Sequence, residues 1–222
     1  MILNLTAPTF VVVGAFNRRI FQPSWIARWL YEFAEGADIT FVQLAQIEAP
    51  ARQTIYISDV GISATNERLE VYINSLSEAT KSLAETVLRR LFTVLPHTPV
   101  KALGINFHFD LAEATDRVIS RIRIDDGLDA EFPNIKKTTL VSTVEMAAGV
   151  DLNFSRSLAT VEAAFDFNFH HPTSTAGAIT EMVPGSIDRC FAIAQSILRN
   201  VYELENYQVA AHVFEAEAGA QQ

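Results

Sequence analysis

The sequence predicts an α+β fold, in which a large, mostly antiparallel sheet carries two long helices and one short helix on one face. Segments with apolar residues at every second position alternate along the chain with segments whose apolar residues recur at helical spacing. The 222 residues are 49% apolar, which is enough to bury a large core. The order strand, helix, strand occurs twice. We therefore interpret residues 1–222 as a single α+β domain, with an internal duplication into halves of about 1–112 and 113–222 as a hypothesis.

The first predicted elements are a buried strand, a short helix and an antiparallel meander. Residues 10–16 form an apolar run of the length typical of a buried strand. A helix opens at Pro23, and the apolar residues of 26–33 fall on one of its faces. The meander strands that follow are ITFVQLAQI, TIYISDV and RLEVYIN.

Two long amphipathic helices are the best-marked elements of the chain. Ser75 and Glu78 fit a capping box at the start of the first, which ends before Pro96. The second begins near Ser186 and keeps an apolar stripe as far as Val201. A strand-like segment precedes and follows each helix. We expect both helices to cover the same face of the sheet.

Two similar segments indicate which side of the sheet the helices cover. GINFHFDL (104–111) and FDFNFHH (165–171) both carry apolar, mostly aromatic, residues at alternate positions with Asn, His and Asp between them. Alternate side chains of a strand point to opposite faces, so the aromatic rows should face the helices. The Asn, His and Asp side chains then form a polar sheet face.

A hairpin is predicted to extend this polar face. If AEAT turns the chain, RVISRIRI becomes a strand that places Arg117 opposite Asp110 and Arg121 opposite Asn106. Cross-strand pairs of this kind ordinarily stabilise a sheet and are no evidence of catalysis. The candidate binding residues on the polar face are His108, Asp110, Arg117, Arg121, Asp166 and His170.

The polar face can be interpreted either as a metal-binding site or as an ordinary solvated sheet face. His108, Asp110, Asp166 and His170 supply ligand types suited to zinc or iron. Solvated sheet faces carry such residues routinely, however, and spacing this loose matches many sequences by chance. We therefore predict no metal and no cofactor, and we keep a metal-dependent site as the alternative.

Two segments are longer than ordinary connections, residues 125–137 and 171–186. The second contains Ile179, Met182 and Val183, apolar residues that a free loop would hide from water. We expect this segment to pack on its own chain or on a partner, and these three residues are the candidate partner-binding loop.

Composition weighs against several classes of protein. A net charge of −9 opposes nucleic-acid binding, although Arg117, Arg121 and Arg123 could make local RNA contacts. A single cysteine, Cys190, indicates a buried thiol in a reducing compartment. We find no signal peptide, membrane segment, phosphate loop or G-x-S-x-G, H-E-x-x-H or C-x-x-C motif. A cytoplasmic protein without membrane contact is the expectation.

The order of elements resembles that of a family of sporadically distributed bacterial proteins of uncharacterised function. The resemblance rests on LEVYINS, a capped helix, ALGINFHFD, TLVSTVEM, ATVEAAFDFNFHH and a final long helix, over about two thirds of the chain. In that family a strand with a hydrophobic-x-x-Asn pattern precedes the helix and a Gly-centred strand follows it. This chain lacks the family's aromatic and Arg-rich surroundings of the Gly-centred strand. The resemblance implies an α+β domain and assigns no activity or functional residue.

Two functional hypotheses follow from the sequence. The first is a bacterial or phage cytoplasmic protein without catalytic activity, which binds a protein partner and forms homo-oligomers through its sheet face or an edge strand. A charged fraction of only 19% and the apolar long segments favour it. The alternative is a small-ligand-binding protein or metal-dependent hydrolase that uses the polar His and Asp face.

Overall fold

The computed structural model of the protein describes residues 1–38, 40–46, 52–123, 135–146 and 149–212. Within these ranges, eleven strands form one sheet. They are β1 (Ile2–Asn4), β2 (Phe10–Gly14), β3 (Val42–Gln46), β4 (Arg52–Ile57), β5 (Val60–Ala64), β6 (Arg68–Ile73), β7 (Val100–Leu111), β8 (Thr138–Glu145), β9 (Asp151–Ala159), β10 (Glu162–Pro172) and β11 (Gln208–Ala210). The α-helices of the same ranges are α1 (Pro23–Leu30), α2 (Glu78–Val94), α3 (Asp116–Ile122), α4 (Ala176–Met182) and α5 (Ser186–Tyr202).

The sheet confirms the predicted α+β class. Its strand order is β3-β4-β5-β6-β2-β7-β10-β9-β8, with β1 beside β7 and β11 beside β1. Neighbouring strands on the main path are antiparallel, and β1 pairs with β11 in parallel. The three predicted meander strands correspond to β3, β4 and β6, and β5, which lies between β4 and β6, was not predicted. One sheet therefore runs through both predicted halves of the chain, and the duplication itself stays a prediction.

The predicted aromatic rows face the helices. In β10, Phe165, Phe167 and Phe169 are buried, and in β7 Phe107 and Phe109 are buried beside them. The register that pairs Phe165 with Phe109 and Phe167 with Phe107 places all five rings on one face. We call this side of the sheet the helix face and the opposite side the outer face.

The helices α2 and α5 close the core over the helix face. The helix α2 packs on β5 and β6, and α5 packs on β7. From α5, the ring of Phe191 contacts Phe107 and Phe109, with ring centroids 5.2 and 6.2 Å apart. The Glu85 carboxylate of α2 accepts hydrogen bonds from the amides of Gly185 and Ile187 at 2.6 and 3.1 Å. A side chain of one long helix thus caps the amino end of the other.

The helix α2 begins two residues later than the capping box predicted. Its N-cap is Ser77, whose hydroxyl accepts a hydrogen bond from the Thr80 amide at 3.1 Å. The hydroxyl of Ser75 instead contacts the hydroxyls of Ser77 and Thr80. The prediction of Ser75 as the cap was wrong because several hydroxyls lie close together there, and the one nearest the first free amides takes the role.

The predicted strand RVISRIRI is a helix, α3, and the hairpin prediction was wrong. Thr115 caps α3 by accepting from the Val118 amide, and Val118 and Ile122 are buried one helical turn apart. The neighbours of β7 explain the outcome. The strand β10 pairs with β7 from Ala102 to Leu111, while β2 and β1 occupy its other edge, so no edge of β7 was left for a hairpin.

Of the two long segments, 125–137 and 171–186, the structure describes the second in full. Residues 125–134 of the first segment lie outside the described residues. The second, 171–186, begins within β10, since His171 and Pro172 pair with β7. It continues as α4, which Thr175 caps by accepting from the Ala178 amide at 3.2 Å. The helix α4 then packs against α2.

None of the helices in the described part of the chain has the length and apolar character needed to cross a lipid bilayer.

Candidate functional site

The pairing of β7 with β10 brings three of the predicted site residues together on the outer face. His108 lies directly opposite Asp166, and Asp110 follows two residues along β7 on the same side of the strand. We call these three residues the histidine cluster. The alternating aromatic pattern is what places them on this face, because their neighbours in sequence are drawn into the core.

The His108 ring is held between two carboxylates. Its Nδ1 lies 2.5 Å from Asp166 Oδ1, and its Nε2 lies 2.9 Å from Asp110 Oδ1. The side chain of His108 is 27% exposed, whereas those of Asp110 and Asp166 are 44% and 55% exposed. A further donor, Asn4 Nδ2, approaches Asp110 Oδ2 at 3.4 Å from the neighbouring strand β1.

These carboxylates determine the charge of the ring. The hydrogen bond to Asp166 raises the pKa of His108 to about 8, assisted by the negative charges of both carboxylates and opposed by burial. At neutral pH the ring is therefore an imidazolium whose two N–H groups both donate. A ring in this state has no free nitrogen lone pair with which to take a proton or bind a metal ion.

Beside the histidine cluster, side-chain hydrogen bonds cross four strands. Thr143 Oγ1 lies 2.9 Å from Asn153 Oδ1, and Asn153 Nδ2 donates to Asn168 Oδ1 at 3.2 Å. Asn168 Nδ2 donates to Asn106 Oδ1 at 2.5 Å, and Asn106 Nδ2 donates to the Pro8 carbonyl at 3.3 Å. We call this chain from Thr143 to Asn106 the amide ladder. Its members lie opposite one another in register, so it ties β8, β9, β10 and β7 together.

Gly104 makes room for the amide ladder. A Cβ atom at this position would lie 2.8 Å from Asn168 Nδ2, closer than Cβ atoms approach other non-bonded heavy atoms. The glycine at the centre of β7 therefore permits a polar contact on the outer face. The packing of Asn168 on the outer face therefore explains the glycine at this position.

His170 shares the outer face but lies apart from the histidine cluster. It pairs with Gly104 and Asp151, four residues along β10 from Asp166. At about 3.3 Å per residue, this separation is roughly 13 Å. The four-residue His and Asp set that we considered for a metal is therefore not brought together. Among the described residues, no group of three or more His, Cys, Asp or Glu side chains is arranged to hold a metal ion.

Arg117 and Arg121 do not belong to the outer face, so their predicted placement was wrong. Both lie on α3, which packs against β8, β9 and α5 on the helix face. Arg117 Nε donates to the Val201 carbonyl at 3.3 Å and lies 3.4 Å from Glu203 Oε1. This arginine stabilises the carboxyl end of α5, where a positive charge complements the helix dipole.

The predicted partner-binding loop is largely internal. Ile179 and Val183 are completely buried in the core, and Met182 is partly buried against it. Of the two outcomes expected for this segment, packing on its own chain is the one observed. The side chains of Ile179 and Val183 are not available to a partner, so their assignment as partner-binding residues was wrong.

Two exposed apolar surfaces were not recognised in the sequence. The first is β8, the last strand of the described sheet, where Val141 on the outer face is 69% exposed and Val144 on the helix face is 48% exposed. Among the described residues, β9 is the only strand that pairs with it. A strand pattern alone does not show whether a strand is central or at an edge, which is why the sequence did not reveal this.

The second surface is an aromatic patch formed by Trp29, Phe33 and Val94. These side chains are 45%, 38% and 36% exposed, and the Arg28 guanidinium lies 5.3 Å from the centre of the Trp29 ring. A groove of about 500 Å³ runs beside the patch, lined also by Trp25. Trp29 and Phe33 were predicted to share one helical stripe with Ile26 and Leu30, but α1 ends at Leu30, and Ile26 and Leu30 alone of these four residues are buried.

Comparison with known proteins adds no relative to these observations, since the sequence matches no protein-family model and no curated protein at a significant level. The resemblance to sporadically distributed bacterial proteins stays a prediction based on the order of elements.

Proposed function

We propose that this protein is a non-catalytic cytoplasmic protein that self-associates and binds other proteins, and that β8 is the edge through which it assembles. The observation that carries the proposal is the position of β8, an eight-residue strand at the end of the described sheet, in which Val141 is 69% exposed. A strand edge offers a row of backbone donors and acceptors to another chain.

The composition of β8 supports this role. Edge strands that must stay unpaired usually contain Lys or Pro, or are very short. The sequence of β8, TTLVSTVE, has neither residue, and its only charge is at its last position, Glu145. It is rich in the β-branched residues that favour strand pairing. These features are typical of an edge that is available for addition of a further strand.

The aromatic patch supports the second part of the proposal, the binding of other proteins. Exposed Trp and Phe side chains beside an arginine are the residue types enriched in protein interfaces. The patch lies on α1, on the residues just after it and on α2, far along the chain from β8. A protein with two such surfaces could bind a partner at one while assembling through the other.

The geometry of the histidine cluster weighs against the hydrolase alternative. A general base needs a free lone pair within reach of its substrate, and both nitrogens of His108 are occupied by carboxylates. Ser155, which pairs with Asp166 from β9, lies on the far side of that aspartate from His108. The order Ser, Asp, His across the sheet is unsuited to activating the serine, since the histidine must contact the hydroxyl.

The proposal is tested by measuring molar mass with light scattering during size-exclusion chromatography, at loading concentrations from about 1 to about 100 μM. We expect the mass to rise with concentration from monomer to dimer or a larger assembly. Val141→Lys should keep the protein monomeric, because a charged side chain would be placed in the middle of the edge. Val161→Lys is the matched control, since Val161 is 51% exposed but lies in the turn between β9 and β10. A monomeric wild-type protein at every concentration would refute self-association.

A further inference from the structure

We infer that β8 pairs with β8 of a second copy of this chain, antiparallel and with the two-fold axis at Val141. The inference rests on the proposed function and specifies its interface. It follows from the direction of the backbone groups of β8 and from the charges at the ends of the strand.

The hydrogen bond beyond the end of β8 shows which residues direct their backbone groups away from β9. The Met146 amide donates to the Val150 carbonyl of the neighbouring chain segment at 2.7 Å. In an antiparallel ladder, residues that bond to a given neighbour alternate with residues that do not. Val144 and Ser142 therefore bond towards β9, whereas the backbone groups of Val141 and of every second residue from it point outwards.

With the two-fold axis at Val141, the outward backbone groups of β8 in one copy form hydrogen bonds with those of β8 in the second copy. Val141 lies opposite itself, Thr139 lies opposite Thr143 of the second copy, and both pairs exchange backbone hydrogen bonds in both directions. The side chains of these residues all belong to the outer face, since Val141 pairs with Ser155 on that side. The valines meet at the axis, where threonines flank them. Such β-branched pairs are favourable across strands.

The charges select this register from its alternatives. Lys137, the residue before β8, lies opposite Glu145 of the second copy, and the symmetry repeats the pair at the other end. Any other register that keeps the outward groups paired moves Lys137 at least two residues away from Glu145. A shift of the axis to Thr143, for example, places Val141 opposite Glu145. The Val141 register is therefore the one that matches apolar with apolar and positive with negative.

Cysteine cross-linking tests the register directly. Residues opposite one another in such a pair have Cα atoms about 5.5 Å apart, within disulfide range. Val141→Cys should therefore form a disulfide dimer under mild oxidation. Thr139→Cys and Thr143→Cys should each form no disulfide dimer alone, but their equimolar mixture should cross-link. The native Cys190 is buried and 7% exposed, so it should not compete.

A charge exchange gives a second measurement. Lys137→Glu places like charges opposite at both ends of the interface and should weaken dimerisation roughly 5- to 30-fold. Glu145→Lys should have a similar effect, and the double variant should return the dissociation constant to within about threefold of the wild-type value. Sedimentation velocity over a concentration series measures all four proteins, the wild type included.

The outcomes distinguish the inference from the proposed function. A self-associating wild type in which Val141→Cys cross-links no faster than Thr139→Cys would overturn the inferred interface and leave self-association standing. A double charge variant weaker than either single variant would also overturn it. A wild type that never exceeds the monomer mass would overturn both. Selective cross-linking together with rescue by the double variant would support the inferred dimer.

Discussion

The histidine cluster makes the stability of this protein depend on pH in a defined window. The pKa of His108 rises from 6.5 to about 8 on folding, so the folded protein holds the proton more tightly than the unfolded chain. The stabilisation is complete below pH 6.5 and is lost as the pH rises through about 8. Each pKa unit corresponds to about 1.4 kcal/mol, which gives about 2 kcal/mol before solvent screening. Because both carboxylates are about half exposed, we expect about 1 kcal/mol.

Urea unfolding at about pH 6 and about pH 9 measures this contribution. The free energy of unfolding of the wild-type protein, relative to His108→Gln, should fall by about 1 kcal/mol between the two pH values. His97→Gln serves as the matched control, since His97 is an exposed histidine in the turn after α2. If His108→Gln and wild type lose stability equally on going to high pH, the cluster does not hold a protonated ring and the reasoning is wrong.

Three further predictions concern the fold, each measured by urea unfolding. Phe167→Ala should cost about 3 to 5 kcal/mol, because a fully buried ring leaves a cavity between sheet and helices. Ser77→Ala should cost about 1 kcal/mol and Ser75→Ala clearly less, and equal losses would contradict the assignment of the N-cap. Gly104→Ala should cost about 1 to 3 kcal/mol because the added methyl group would meet a side-chain amide nitrogen at 2.8 Å. Gly177→Ala, with open space around it, should be neutral or slightly stabilising.

The spacing of apolar residues was sufficient to predict an element and its buried face where one face of that element is apolar along its whole length. The alternating rings of 104–111 and 165–171 could satisfy burial only as strands with their phenylalanines on the same side, and the structure has them so. The same reasoning placed His108 and Asp166 on the outer face. It did not show that they are neighbours, because a pattern in one segment carries no information about which strand lies beside it.

The spacing of apolar residues was insufficient where a strand and a helix would bury the same residues. In RVISRIRI, Val118 and Ile122 face one way in a strand and also lie one turn apart in a helix. The outcome depended on β7, whose edges were already occupied by β10 on one side and by β2 and β1 on the other. Arg117 and Arg121 belong to this segment, so they lie on the helix face and not on the polar face.

The sequence by itself determined the fold class, the two long helices and the face on which each aromatic row lies, because these depend on spacing within one segment. The tertiary structure alone decided that Glu85 caps α5, that His108 is held between Asp110 and Asp166, and that β8 is the last of the described strands. Each of these results joins residues distant in sequence. Contacts of that kind depend on the order of strands across the sheet, which the spacing of residues along a single segment does not specify.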